Sequence, residues 1–164
     1  MDFIIREMLI NDINDVVNMM CDVFDKENIF LNYRHKRIKE SLNLAFISEN
    51  DELNAKYFVV EINSEIVGVG GVKESFISNK VFELCWMTVK HEHQNKGIGT
   101  ALIAKRIEWA KYISGYNNVR VLTGTRVPNM FLRLGFVEFM KTTGHSFYLM
   151  CYGENFKNLN SNKD

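Results

Sequence analysis

Apolar positions along the chain switch repeatedly between a two-residue and a helical period, and the switches divide it into elements. Phe3 to Arg6 reads as a first strand. Asn11 or Asp12 can cap a following helix, on which Ile13, Val16, Val17, Met20, Val23 and Phe24 share one face. A charged turn at Asp25 to Asn28 precedes a second amphipathic helix from about Tyr33 to Phe46. Lys56 to Ile62, rich in aromatic and β-branched residues, is a strand, and Ile66 to Val72 returns beside it through Asn63-Ser64-Glu65. Gly68, Gly70 and Gly71 in the returning strand point to a bulge or to close approach of another backbone. Val81 to Val89 is a fourth strand, apolar enough for the middle of a sheet.

A polar loop, Lys90 to Lys96, leads into a helix over about Gly97 to Ile113, with Gly115 where a C-terminal glycine stop belongs. Asn118 to Thr123 is a fifth strand. Pro128 suits the first turn of a short helix that ends at Gly135. Phe136 to Met140 and Ser146 to Tyr152 make a closing hairpin through Thr142-Thr143-Gly144. The polar, Asn/Lys-rich stretch 153–164 is expected to fray. The order of elements predicts one α/β domain over residues 1–152, a sandwich around a mixed sheet.

Composition narrows the partners. Lys plus Arg and Asp plus Glu are 20 each, so no global field recruits nucleic acid or an anionic membrane. The run Arg34-His35-Lys36-Arg37 reads as a solvated helix face. Cys21, Cys85 and Cys151 are odd in number and far apart, against a disulfide framework or a structural zinc site. Met1 to Glu7 lacks the basic lead and apolar core of a signal peptide, and no apolar stretch approaches the ~20 residues of a membrane span. The expected location is the cytoplasm.

The chemistry concentrates between Val89 and Leu102, where a central strand gives way to a helix. A helix start offers unpaired N–H groups and a partial positive charge, which suit a phosphate. Gly97 and Gly99 keep no side chain in the way, so the turn over Gln94, Asn95, Lys96, Gly97, Ile98, Gly99 and Thr100 could aim several amides at one diphosphate. A tight turn that needs glycine for its backbone alone gives the same spacing. Two other phosphate signatures fail: Lys96 precedes the glycine pair, unlike a P-loop, and Leu102 stands where a dinucleotide fingerprint needs a third small residue.

The run Gln94-Asn95-Lys96-Gly97-Ile98-Gly99 resembles the signature of the GNAT superfamily of N-acetyltransferases. Ile5-Arg6, the strand Ile66 to Gly71, and Phe131-Leu132-Arg133-Leu134-Gly135-Phe136 are similar to that family in the same order. The resemblance implies a mixed, mostly antiparallel sheet of about seven strands flanked by about four helices. It also implies acetyl-CoA as cosubstrate, no metal, and direct transfer to a primary amine of a small molecule or peptide. By the same resemblance, a bulge in the fourth strand lets the pantetheine arm pair with Met87, Thr88 and Val89, and a backbone N–H there stabilises the oxyanion. Asn129 either touches the cofactor or caps the turn beside Pro128.

Two positions depart from the family pattern. His91 stands where the loop usually has proline, and Phe131 where many members carry a tyrosine that protonates the leaving thiolate. An acyl-CoA sensor without turnover is therefore the rival expectation. Glu83, six residues before Val89, matches the strand position of a glutamate general base, and an apolar cleft there would raise its pKa. A Glu on the opposite, solvated face of the sheet is the alternative. If Glu83 faces the cleft, Leu84 and Trp86 should face away from it. His91, His93 and His145 are weaker candidates for the proton, and Cys85 reads as a packed strand residue rather than a nucleophile. The first two helices and the closing hairpin should select the acceptor, and exposed closing strands allow a homodimer.

Overall fold

In the computed structural model the residues described are 2–26, 34–47, 55–141 and 147–152. The elements run β1 (Ile4–Glu7), α1 (Ile13–Lys26), α2 (Arg34–Ile47), β2 (Ala55–Ile62), β3 (Glu65–Ser75), β4 (Ser78–Val89), α3 (Ile98–Ser114), β5 (Arg120–Thr125), α4 (Pro128–Arg133), β6 (Val137–Lys141) and β7 (Phe147–Tyr152). Every strand and helix read from the sequence has its counterpart here, with ends shifted by a few residues. α1 runs through Asp25 and Lys26, where a turn was expected to begin; the rest of that expected turn, Tyr33, the expected turn at Thr142-Thr143-Gly144, His145 and residues 153–164 lie outside the described residues.

The seven strands form one sheet in the order β1-β2-β3-β4-β5-β7-β6, with β4 at its centre. Only β4 and β5 are parallel; the other neighbours are antiparallel. Parallel neighbours need a crossover, and α3 supplies it. Strand alternation then sends side chains to two cores. On one face, Phe58, Val60, Val72, Phe82 and Leu84 pack with Leu102, Ile103 and Ile107 of α3 and Phe131 and Leu134 around α4. On the other, Tyr57, Val59 and Val69 pack with Val16, Val17 and Met20 of α1 and Ile38 and Leu42 of α2. Each fully buried aliphatic or aromatic side chain contributes about 1.5–3 kcal/mol, so both helical layers are held by burial rather than by helix propensity.

Local chemistry sets the junctions. Asn63 and Ser64 both have positive φ (49° and 65°), the backbone of a two-residue hairpin turn that matches strand twist. Gly115 ends α3 at φ 70°, and its N–H donates to the carbonyls of Lys111 and Tyr112. Asp12 acts one turn ahead of α1. It accepts the Leu9 N–H at 2.7 Å and a two-pronged ion pair from Arg6 of β1, which also reaches Glu61 of β2. The Arg6 guanidinium thereby holds the Asp12 carboxyl below the usual carboxylate range.

The middle of β3 is built from glycine because side chains press on it from both faces. A Cβ on Gly70 would lie 3.0 Å from Cζ of Arg106. On Gly71 it would collide with the Tyr57 ring and lie 2.8 Å from the Cys85 sulfur. At these two positions the approach is by side chains, whereas at Gly68 the nearest atom to such a Cβ would be the Thr88 backbone carbonyl at 3.4 Å; the expected irregularity lies opposite Gly70. Tyr57 is buried and ringed by packed neighbours, so it cannot yield cheaply.

Two outcomes follow from this packing. Gly71→Ala should lower the free energy of unfolding by about 1–3 kcal/mol in a urea titration, as overpacking does; an unchanged midpoint would refute the collision. Asp12→Asn should be less stable than the parent at neutral pH. A depressed folded pKa contributes stability above the unfolded value of about 3.9 and loses it as pH falls through the folded value. The gap between variant and parent should therefore close on acidification below about pH 4, which thermal melts in an acid series would register.

Candidate active site

At the end of β4 the ladder becomes irregular. Cys85 pairs with Gly71 and Thr88 with Val69, so Trp86 and Met87 together oppose the single residue Gly70. Trp86 takes φ 49°, a strained value for a bulky side chain, and swings back onto the α1/α2 core. On its other edge β4 pairs with β5 only from Val81 to Leu84. From Cys85 to Val89 the two strands part.

A cavity of about 640 Å³ opens at this parting. Its walls are Met87, Thr88 and Val89 of β4; Gln94, Asn95, Gly97, Gly99 and Thr100 at the start of α3; Arg126 and Val127; Met130 and Arg133 of α4; and Val23 and Phe24 of α1. Eight of the residues expected at a cofactor site are thus brought together. Lys96, Ile98, Asn129 and Phe131 are not among the lining residues. Ile98 and Phe131 belong to the core, where Phe131 meets Phe136 edge to face with ring centres 5.2 Å apart. Lys96 bends back to the Glu92 carbonyl at 2.6 Å, and Asn129 is exposed.

The turn has the features an anion needs. Ala101 donates to the Gly97 carbonyl at 3.0 Å and Gln94 to that of His91 at 3.2 Å, while no carbonyl of the described residues takes the amides of residues 95–100. Positive φ at Asn95 (59°) and Gly97 (82°) curls these amides round one side of the loop. Gln94 clasps the loop shut, its amide nitrogen donating to the Val89 carbonyl at 3.0 Å. A Cβ on Gly99 would come within 3.2 Å of the Met130 sulfur, so the absence of a side chain keeps this wall of the cavity open. Thr88 Oγ1 is buried with no hydrogen-bond partner among the described residues. Arg126 and Arg133, at either end of the Pro128 helix, add two cations to the rim. They were missed in the sequence, where the only signal is their bracketing of that short helix beside the glycine loop.

Glu83 does not line this cavity. It points to the α1/α2 side of the sheet, opposite Phe82 and Leu84, and forms a cross-strand ion pair with Lys73 at 3.2 Å. Leu84 does face away from it, but Trp86 lies on the α1/α2 side, because the bulge breaks the two-residue alternation. Cys85 is packed on that side too, with its sulfur 3.7 Å from the Tyr57 hydroxyl. Burial pushes its thiol pKa up, the opposite of an activated nucleophile. Among the described residues no three His, Cys, Asp or Glu side chains gather as a metal-ligand set, and no helix is long and apolar enough to cross a membrane.

Comparison with known proteins bears on this arrangement. Solved structures share the fold at low sequence identity. An acetyltransferase of the GNAT family from Staphylococcus aureus has TM-score 0.74 and 16% identity, over 93% of this chain and 99% of that one. The PaiA N-acetyltransferase of Thermoplasma acidophilum, solved with coenzyme A, has TM-score 0.71 and 18% identity over the same shares. Spermidine N-acetyltransferase from Vibrio cholerae, solved with CoA and spermine, has TM-score 0.66 and 17% identity, over 93% and 96%. No curated protein sequence matches the chain. The sequence pattern of the Acetyltransferase (GNAT) family matches residues 18–136, from within α1 through the end of the glycine loop, the split strands and α4, and the chain belongs to that family.

Proposed function

We propose that the protein is an N-acetyltransferase that moves the acetyl group of acetyl-CoA directly onto a primary amine held with it in a ternary complex. The observation that carries this reading is the set of unspent amides at the start of α3, opening into a cavity walled by the end of β4 and by Arg126 and Val127 just past β5. Those amides, with Arg126 and Arg133, would bind the diphosphate. The parted edge of β4 at Met87 to Val89 would hold the pantetheine arm as an added strand. A β4 amide at the bulge would polarise the thioester carbonyl. Val23 and Phe24 of α1 close the far end, where the amine would enter. The Thermoplasma and Vibrio structures share the fold and were both solved with coenzyme A, which supports a coenzyme A thioester as the donor.

Glu83 is proposed as the base that takes the proton from the amine through water, from the α1/α2 side. Its ion pair with Lys73 would have to open or be bridged during turnover. Phe131 lies in the core and carries no proton to donate, so the thiolate would leave without help from that position.

Three measurements test the scheme. Mixing the protein with acetyl-CoA and a panel of amines should release free thiol and acetylated amine; binding of coenzyme A without thiol release would make it a sensor. Gly99→Glu should weaken acetyl-CoA binding at least about tenfold by calorimetry, since it puts a carboxylate where the phosphates would lie; equal affinity would end the phosphate assignment. Glu83→Gln should cut kcat by about 10²-fold or more with cofactor affinity nearly constant. A pH–rate profile identical to that of the parent would remove Glu83 from the mechanism.

A further inference from the structure

Arg106 occupies the buried stripe of α3, one turn after Leu102 and one turn before Ala110, where an apolar residue would complete the pattern. It is fully buried. Its Nε donates to the Leu102 carbonyl at 3.0 Å, one terminal nitrogen to the Gly71 carbonyl at 3.1 Å, and the other to the Met87 sulfur at 3.0 Å. All three acceptors are neutral, and no carboxylate among the described residues pairs with it. A buried charge without a counter-charge is costly, and a structural plug for the bulge would be cheaper as leucine or methionine. The guanidinium lies on Gly70, the residue opposite the bulge, and Met87, which accepts from it, also lines the cavity.

We propose that Arg106 is a positioning residue for group transfer: it fixes Met87 and Gly71 around the bulge and sets a positive potential behind Met87 that favours the departing thiolate of coenzyme A. This rests on the reading of the cleft as the thioester site. In the step served, the amine lone pair forms the C–N bond at the thioester carbonyl. The C–S bond breaks with its electron pair going to sulfur, and the proton leaves nitrogen for base or solvent. Negative charge thus ends on sulfur, and no carboxylate among the described residues pairs with Arg106.

Desolvation pulls the guanidinium pKa down to about 10, which leaves it cationic at neutral pH. The ionisable groups nearest to it are few. Cys85 couples to it through the sheet, and Tyr57, Lys73 and Glu83 surround Cys85 on the far face. Arg126 and Arg133 line the cavity itself and also favour anions there.

The test compares the affinities of CoA and desulfo-CoA across the neutral and alkaline range. The two ligands share the diphosphate, so contributions of Arg126 and Arg133 to holding it cancel in the ratio. In the parent and in Arg106→Lys, the ratio should report a bound thiol that titrates roughly one pH unit below the thiol of free CoA titrated alongside. In Arg106→Met the break should return to the free value, with kcat reduced more than KM for acetyl-CoA. The same break in Arg106→Met as in the parent would reduce Arg106 to a structural plug and overturn the proposal. Should that variant fail to fold, Arg106→Gln, also neutral, is read in its place, and a parent-bound thiol titrating like free CoA overturns the proposal outright. Failure of the parent to bind either ligand would refute the cleft assignment itself, an outcome distinct from binding without a shifted thiol.

Discussion

The organising constraint is the mismatch at Gly70, where β4 spends two residues, Trp86 and Met87, against one on β3. A regular ladder would keep β4 parallel to β5 along its full length and leave no room between them. The extra residue turns the end of β4, and pairing with β5 stops at Leu84. The strained φ of Trp86 is tolerated because its indole packs into the α1/α2 core. The cavity is thus a product of strand register, and the packing of both helical layers maintains it.

Around the mismatch the sheet is thin. Gly70 and Gly71 let Arg106 approach from the α3 side and Tyr57 with Cys85 from the α1 side. Three polar or ionisable groups therefore meet within one sheet thickness, directly behind the cavity wall. That is an uncommon use of core space, since apolar side chains would fill it with less desolvation.

Much of this was legible in the sequence because periodicity and turn chemistry speak directly. The Asn63-Ser64 turn, the Gly115 stop, Pro128 at a helix start and the apolar run ending at Val89 all mark elements that exist. The glycine loop was legible for the same reason, as a strand-to-helix junction with side chains removed. Register was not. The alternation expected for Glu83, Leu84 and Trp86 fails at Trp86, because nothing local in the sequence says which residue of β4 is supernumerary. β3 runs on to Ser75, past the end of its apolar run, because Lys73 and Glu74 pair across to β4 after the hydrophobic signal has ended. Asp12 does cap the start of the helical segment, from within its first turn, by accepting the Leu9 N–H; its second role, the ion pair with Arg6, depends on β1 lying alongside and could not be read locally. Long-range neighbours also explain why Arg126 and Arg133 went unread. Arg106 is different: a cation on an apolar helical stripe is visible in the sequence, and only its lack of a counter-ion needs the fold.

Most of the cavity lining, eight of fourteen residues, comes from the single run between Met87 and Thr100, while Val23 and Phe24 arrive from α1. The wall proposed for the carrier is therefore written in one short stretch of chain, and the wall proposed for the acceptor is borrowed from a distant element. Such a division would separate the two specificities: changes at Val23 and Phe24 could alter what is modified, while the strand, loop and helix that would grip the donor, and the helical core behind them, stay intact.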